Sequence, residues 1–393
     1  MRNKAYIWLA AGISLFVLAS VTGTQEEQWL QYHSSREAQQ IVGDIRVMTI
    51  SKVTSEKPQG VELPDFKCGE PFFARWPTAM VPTGGLWIAC DRKSKYGPHD
   101  LLYIDSNGNG SLADESALEP YRQDERRAIF GPVKVLFEGE DGPITYHLNV
   151  EFYTSRDRKY LHIKAAGWYE GTITVAGAKK HCVLIDNNAN GTFNDKSLRA
   201  YACDRIRIGK KDSQDTRYVG NFIEVDGVLY QPEIARDGAY IKLTKAEDVR
   251  FGDIQLPEMI TEFTARGENG LFILEPEQGV AKLPVGKYRI NHWEINRKDE
   301  KGSAWVLRGY GSGETDDFDV TLDRKAELSI GEPIICTLEA SKRDSTYSFS
   351  QSLKGQLGER IELTRNGARP QAPKLHMKNK DGTYDRTFDF RYG

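Results

Sequence analysis

Cys182-Val183-Leu184-Ile185-Asp186-Asn187-Asn188-Ala189-Asn190-Gly191-Thr192-Phe193-Asn194-Asp195 is a four-residue apolar run that opens into an oxygen-rich loop. The arrangement occurs again upstream, where Leu101-Leu102-Tyr103-Ile104 leads into Asp105-Ser106-Asn107-Gly108-Asn109-Gly110-Ser111-Leu112-Ala113-Asp114. Aligned, both loops read Asp, x, Asn, x, Asn, Gly, Ser/Thr, apolar, x, Asp. Both feeding runs are short and β-like, and neither has the length or the 3.6-residue period of an amphipathic helix. The fold expected around them is a β fold, with the loops carried on strand ends.

Oxygen-bearing side chains at positions 1, 3 and 5 point at one centre. Gly at position 6 permits the sharp turn that brings the next carbonyl in, which is what a Ca²⁺ loop requires. Two other readings stay open. Asn and Gly form turns in their own right, and Asn109-Gly110-Ser111 and Asn190-Gly191-Thr192 are both glycosylation sequons. An Asn that coordinates calcium cannot easily carry a glycan, so those two readings compete.

The loops resemble the calcium loops of dockerins and other EF-hand-like extracellular proteins. The resemblance implies Asp105, Asn107, Asn109 and the Ser111 carbonyl as ligands in the first loop. It implies Asp186, Asn188, Asn190 and the Thr192 carbonyl in the second, with Leu112 and Phe193 pinning each loop to a core. Two departures stand out. An EF-hand has helices on both sides of its loop, and its bidentate Glu at position 12 is replaced here by Ser116 and Ser197. The closing carboxylate would therefore be Asp114 and Asp195 at position 10, with Glu115 beside the first. So few negative ligands imply weak extracellular sites, with Kd on the order of 10⁻⁴–10⁻³ M. The chain as a whole is similar to secreted bacterial proteins, themselves uncharacterised, that bear strand-borne loops of this type.

Arg2 and Lys4 precede an uncharged, mostly apolar stretch at residues 5–21, and small residues follow at 21–23. Residues 1–23 read as a signal peptide, with an uncleaved membrane anchor as the alternative. A secreted, periplasmic or cell-envelope location follows. Export makes disulfides worth weighing: Cys68 and Cys90 are 22 apart and Cys182 and Cys203 are 21 apart. A bridge of that span would stabilise by about 3 kcal/mol; small buried thiols are the equal alternative. Net charge is −3 from 53 basic and 56 acidic residues, with no long run of one sign. That leaves no electrostatic reason to expect a nucleic-acid partner.

The 393 residues exceed what one core usually holds. An N-terminal segment and connector is expected over residues 24–65, with a short helix within 26–42 ending near Gly43. A β meander bearing the two calcium-type loops follows over 66–250. Residues 251–393 carry apolar alternations at 8–15-residue spacing, which predicts an antiparallel β-sandwich. Leu283-Pro284-Val285-Gly286-Lys287-Tyr288-Arg289-Ile290 is similar to a hairpin of immunoglobulin-like and prealbumin-like extracellular modules. The overall expectation is a mainly β, multi-domain protein.

No HExxH, GxSxG or P-loop is present, and the seven histidines are scattered. The acidic patch 314–319 reads as a solvated loop, with a cation site as the alternative. Trp168, Tyr169, Trp293 and Trp305 are read as core, with sugar stacking as the other use. The function expected is that of a secreted, calcium-binding, non-enzymatic structural or ligand-binding protein of the envelope or adhesion type. Its partners would be calcium and an extracellular polysaccharide or envelope protein, with a membrane only if the leader is retained. The alternative is an exported glycan hydrolase using carboxylates that the sequence does not single out.

Overall fold

A computed structural model describes residues 27–140, 142–155, 157–311 and 316–391. The leader expected at 1–23 lies outside the described residues, as do Glu314, Thr315 and Tyr392. The described chain is mainly β, in sheets that are antiparallel but for one short pairing of Phe251–Gln255 with Ala326–Glu327. Helix among the described residues comprises Ala38–Val42, a 3-10 turn at Ala200–Ala202 and the single 3-10 residue Asp316.

Alternation builds the first core. In Ile144–Thr154 the side chains of Tyr146, Leu148, Val150 and Phe152 are buried and their neighbours are not, the period-2 pattern of a strand with one dry face. Its partner Arg127–Phe137 keeps that pattern through a bulge between Phe130 and Val133. The extra residue lets Phe130 and Val133, three apart, face the same core. Together with Lys159–Ala165, Met48–Ile50 and Arg122–Gln123 these strands form one five-stranded sheet. A second contains Arg217–Tyr218, Arg205–Gly209, Ala178–Ile185, Gly167–Val175 and Gln31–Ser34 in spatial order. The hairpin turn Ala176-Gly177 has positive φ at both residues, as does Asp226-Gly227, the twist that suits two-residue hairpins.

The runs that feed the two loops do not alternate, and the reason is visible. Leu102 and Ile104 face the large cluster, while Leu101 and Tyr103 face a smaller one with Phe73, Ala89 and Leu112. Cys182, Val183, Leu184 and Ile185 are likewise buried on both faces. Each loop thus springs from a strand fixed on two sides.

The large cluster spans residues 30–243 and a second spans 254–361. In the second, Val280–Pro284 pairs with Phe251–Gln255, whereas Gly286–Lys298 pairs with Glu262–Gly267 and Ala304–Tyr310. The segment expected as a hairpin is therefore a corner at Val285 that carries the chain from one sheet to another. Buried Tyr288 fixes it, donating its hydroxyl to the Pro284 carbonyl at 2.7 Å and accepting from Asn269 Nδ2 at 3.0 Å. Two hairpins lie at the margin: Ile335–Arg343 with Thr346–Lys354, which touches the second core through Leu353, and Lys374–Lys378 with Asp385–Asp389, which pairs only with itself. Neither contains a buried residue.

Other expectations change. Ahead of the short helix expected near Gly43, residues 28–29 and 31–34 are strands: Gln31–Ser34 pairs with Gly167–Glu170, and the Tyr32 ring lies on Gly167, where no Cβ would fit. Only Ala38–Val42 is helical, ending at Gly43 with φ 64°. The five cysteines are free thiols. Cys182 lies in mid-strand opposite Gly171 and Ile208, and Cys203 Sγ lies 2.9 Å from the Ser197 carbonyl. In the acidic patch, Asp317–Val320 is a strand against Gly286–Arg289, and Asp317 is held by Arg289, so this part is not a solvated loop. Trp168, Tyr169 and Trp293 are core residues, and Trp305 is half-buried.

His99 belongs to the scaffold rather than to a site. It packs against Phe72 and Phe152 and accepts from Arg92 Nε at 3.1 Å. Burial, with the Arg92 charge adding, pushes its pKa down to about 4. Between that value and the ordinary 6.5 the unfolded chain binds a proton that the folded chain refuses. Its contribution is therefore complete above pH 6.5 and lost as pH falls towards 4. Urea midpoints should drop between pH 7 and pH 5, and the drop should shrink in His99→Gln; equal drops in both proteins would contradict this.

Candidate metal centres

Both loops close by the same contacts. At position 1, Asp105 Oδ2 accepts from the Gly110 amide at 3.0 Å and Asp186 Oδ2 from the Gly191 amide at 2.8 Å. At position 3, the Asn107 and Asn188 Oδ1 atoms accept from the amides of Asn109 and Asn190 at 3.0 and 3.1 Å. At position 5, the Asn109 and Asn190 Oδ1 atoms accept from Ser111 and Thr192 at 2.8 and 2.9 Å. At position 10, Asp114 Oδ2 receives Nδ2 of Asn107 and Asn109 at 2.9 and 2.8 Å. Asp195 Oδ2 receives those of Asn188 and Asn190 at 2.8 and 2.6 Å. Positions 3 and 5 therefore converge on position 10 twice, and position 1 closes on the amide of position 6 twice.

The backbone matches as well. Positions 4 and 6 have positive φ in both loops, Gly108 and Gly110 in one and Ala189 and Gly191 in the other. Position 2 accepts an amide from a neighbouring segment, Leu136 or Arg46, and position 8 donates to a neighbouring carbonyl, Glu62 or Arg236. Leu112 and Phe193 at position 8 are fully buried, so each loop is tied to packing below it.

A carboxylate from beyond each turn caps the amide at position 2. In the first loop it is Glu115, which takes the Ser106 amide at 2.5 Å and hydroxyl at 2.8 Å. In the second it is Asp204, which takes the amides of Asn187 and Asp195 at 3.2 and 2.8 Å. Asp204 escapes sequence reasoning because it lies outside the loop spacing, and only the return of the chain after Ala200–Ala202 delivers it. Tyr146 escapes it too; its hydroxyl donates to Asp186 Oδ2 at 2.7 Å from a different sheet.

The loops differ in setting. Asn107, Asn109 and Asp114 are exposed, whereas Asp186, Gly191, Thr192 and Asp204 are buried. Burial raises Asp186 to about 6, the nearby Asp195 charge adding to it and hydrogen bonds from Tyr146, Gly191 and Ala189 opposing. Asp204 is raised well above the carboxylate range by burial and by the charges of Asp186 and Asp195. Burial likewise raises Asp105, whereas Asp114 is held low by the amides of Asn107 and Asn109.

The donor set fits a hard divalent cation in two respects. Asp105 is 2 % exposed, yet its Oδ1 has no partner, a desolvated anionic oxygen that a cation would satisfy. Buried Asp186 and Asp204 interact with each other and with partly buried Asp195, a repulsion that a positive ion would offset. The amides of positions 3 and 5 now neutralise position 10 themselves. To present oxygens to the centre these amides would have to turn and give up the bonds their Oδ1 atoms accept from the Asn109, Ser111, Asn190 and Thr192 amides.

A further cluster joins Glu262, His292 and Glu294, whose ligand atoms lie within 4.8 Å of one another. It comes from facing strands: His292 Nε2 is 3.0 Å from Glu262 Oε1, and Arg308 holds Glu294. Each glutamate has a cationic or imidazole partner, so the group is closed by its own pairs. No protein-family model, curated protein or solved structure matches the chain significantly.

Proposed function

We propose that this is a secreted calcium-binding protein without catalytic activity, serving as a structural or ligand-binding component of the cell envelope or its surroundings. Its two EF-hand-like, dockerin-type loops hold Ca²⁺ and clamp the strands that carry them. The observation that carries this reading is the repeated closure of positions 3 and 5 on position 10, and of position 1 on position 6, in two separate loops. The residues that would hold the ion are Asp105, Asn107, Asn109, Ser111 and Asp114, and Asp186, Asn188, Asn190, Thr192 and Asp195. Calcium supplies no reaction here; it neutralises buried carboxylates and cross-links a turn. We read the module after residue 250 as an immunoglobulin-like or prealbumin-like sandwich. Support comes from the Tyr288 hydroxyl bonded four residues upstream, a contact of the kind that fixes corners in such sandwiches.

Terbium tests the reading directly, because aromatic rings adjoin the loops. Trp76 Nε1 donates to the Ala189 carbonyl at 2.7 Å, and the Trp87 side chain packs on the small cluster that contains Leu112 of the first loop. Exciting tryptophan in the chain lacking residues 1–23 should give Tb³⁺ emission that millimolar CaCl₂ removes. Emission should fall by about half in Asp105→Ala. Absence of calcium-displaceable emission would overturn the reading.

A further inference from the structure

We infer that the molecule carries an oxyanion site apart from both loops, and that its ligand is a phosphate or sulfate monoester on a small organic body. The site goes beyond the calcium reading and stands without it.

The site begins with one arginine. Residues 92–100 connect the strands Gly85–Asp91 and Leu101–Ile104, and buried His99 pins that connection on Phe72 and Phe152. The Arg92 side chain, only 23 % exposed, is fixed there at two points. Its Nε donates to His99 Nε2 at 3.1 Å and its Nη1 to the Lys95 carbonyl at 3.0 Å. His99, with a pKa of about 4, is neutral at ordinary pH and brings no negative charge. The carboxylate oxygen within 4 Å of this guanidinium among the described residues is Glu70 Oε2, at 3.9 Å. That is too long for a hydrogen bond, and Glu70 is 68 % exposed, so the pair contributes little. A largely covered guanidinium bonded only to neutral acceptors lacks a close counter-ion.

A cavity of about 440 Å³ opens beside Arg92, within the roughly 300–1,000 Å³ range of small-molecule sites. Glu125, Arg126 and Thr154 also line it, and the Thr154 amide donates to the Arg126 carbonyl at 2.9 Å. Arg126 is exposed and makes no ion pair among the described residues. The lining thus sets two guanidinium groups against one carboxylate, Glu125. Around it, Lys95 and Lys159 stand against Glu70 and Asp91, so that excess is not cancelled. Forked guanidinium donors, with the Thr154 hydroxyl, suit the several oxygens of a tetrahedral oxyanion, which such forks bind through paired N–H bonds. Tyr96, almost fully exposed in the same lining, offers its ring to the organic body that carries the anion. Glu125 is the group in the lining that opposes such a ligand.

Phenyl phosphate and phenyl sulfate are the probes, with phenol as neutral control, added to the chain lacking residues 1–23 in EDTA and followed by ligand-detected NMR. At least one ester should bind about tenfold or more tightly than phenol, the gain that a charge-assisted hydrogen bond gives. The tighter of the two esters identifies the source of the oxyanion. Arg126→Ala removes an exposed side chain without touching a core, and should weaken that ester about tenfold. Glu125→Gln should tighten it severalfold. Lys301→Ala, which removes an exposed cation after residue 250, should leave it unchanged. Esters that bind no better than phenol overturn the inference. So does an affinity unmoved by Arg126→Ala or Glu125→Gln, or one that falls as far in Lys301→Ala as in Arg126→Ala. With calcium absent throughout, these outcomes are independent of the terbium result.

Discussion

In 2 mM CaCl₂ the chain lacking residues 1–23 should melt several degrees higher than in EDTA, and Asp186→Ala should erase more of that difference than Asp105→Ala. For Kd values on the order of 10⁻⁴–10⁻³ M, such calcium contributes about 0.6–1.8 kcal/mol per site. Each kcal/mol shifts the melting temperature by roughly 2–4 °C at domain sizes of this order. The two variants should also differ in EDTA. Asp186→Ala strips the acceptor from the Ala189 and Gly191 amides and the Tyr146 hydroxyl, and a buried donor left unpaired costs about 1–3 kcal/mol. Relief of the buried charge, whose pKa is raised to about 6, offsets part of this. A net loss of about 2 kcal/mol without calcium is expected. Asp105→Ala removes the acceptor of one backbone amide, that of Gly110, and should cost less. Equal melting in calcium and EDTA would remove the metal from this account.

Trp76→Ala should be the most damaging single change, at about 3–5 kcal/mol, the cost of emptying a large buried aromatic site. Trp76 is fully buried, stacks on Tyr146 at 5.9 Å and 14°, and lies 6.1 Å from Phe137. Its indole also anchors the Ala189 carbonyl of the second loop. The same variant should therefore lose the calcium response of that loop and keep that of the first. Urea unfolding with and without CaCl₂ checks both halves. A loss under about 2 kcal/mol, or an unchanged response at the second loop, would contradict the coupling.

Much of the fold was readable in residue order because burial here follows local pattern. Tyr146 to Phe152 alternates, the runs 101–104 and 182–185 do not, and each pattern reports the number of dry faces beside it. Asp226-Gly227 announces its turn by chemistry. The misread places are those where distant pairing outweighs local preference. Val285 becomes a corner because its two flanking strands find different partners, and Gln31–Ser34, which the sequence left without an element, is a strand because Gly167–Glu170 offers it an edge. The matching contacts of the two loops follow from their matching spacing. Asp204 and Tyr146 were not legible, because nothing near Asp186 in the sequence encodes which strand will pass beside it.

The Lys374–Asp389 hairpin holds together by cross-strand pairs such as Lys374–Asp389 at 3.6 Å and His376–Asp385 at 2.7 Å, with nothing buried beneath it. Substitution there should leave the melting temperature of the rest untouched. A fluorophore or surface tether placed on that arm would report on, or immobilise, the molecule while both oxygen-lined turns work undisturbed.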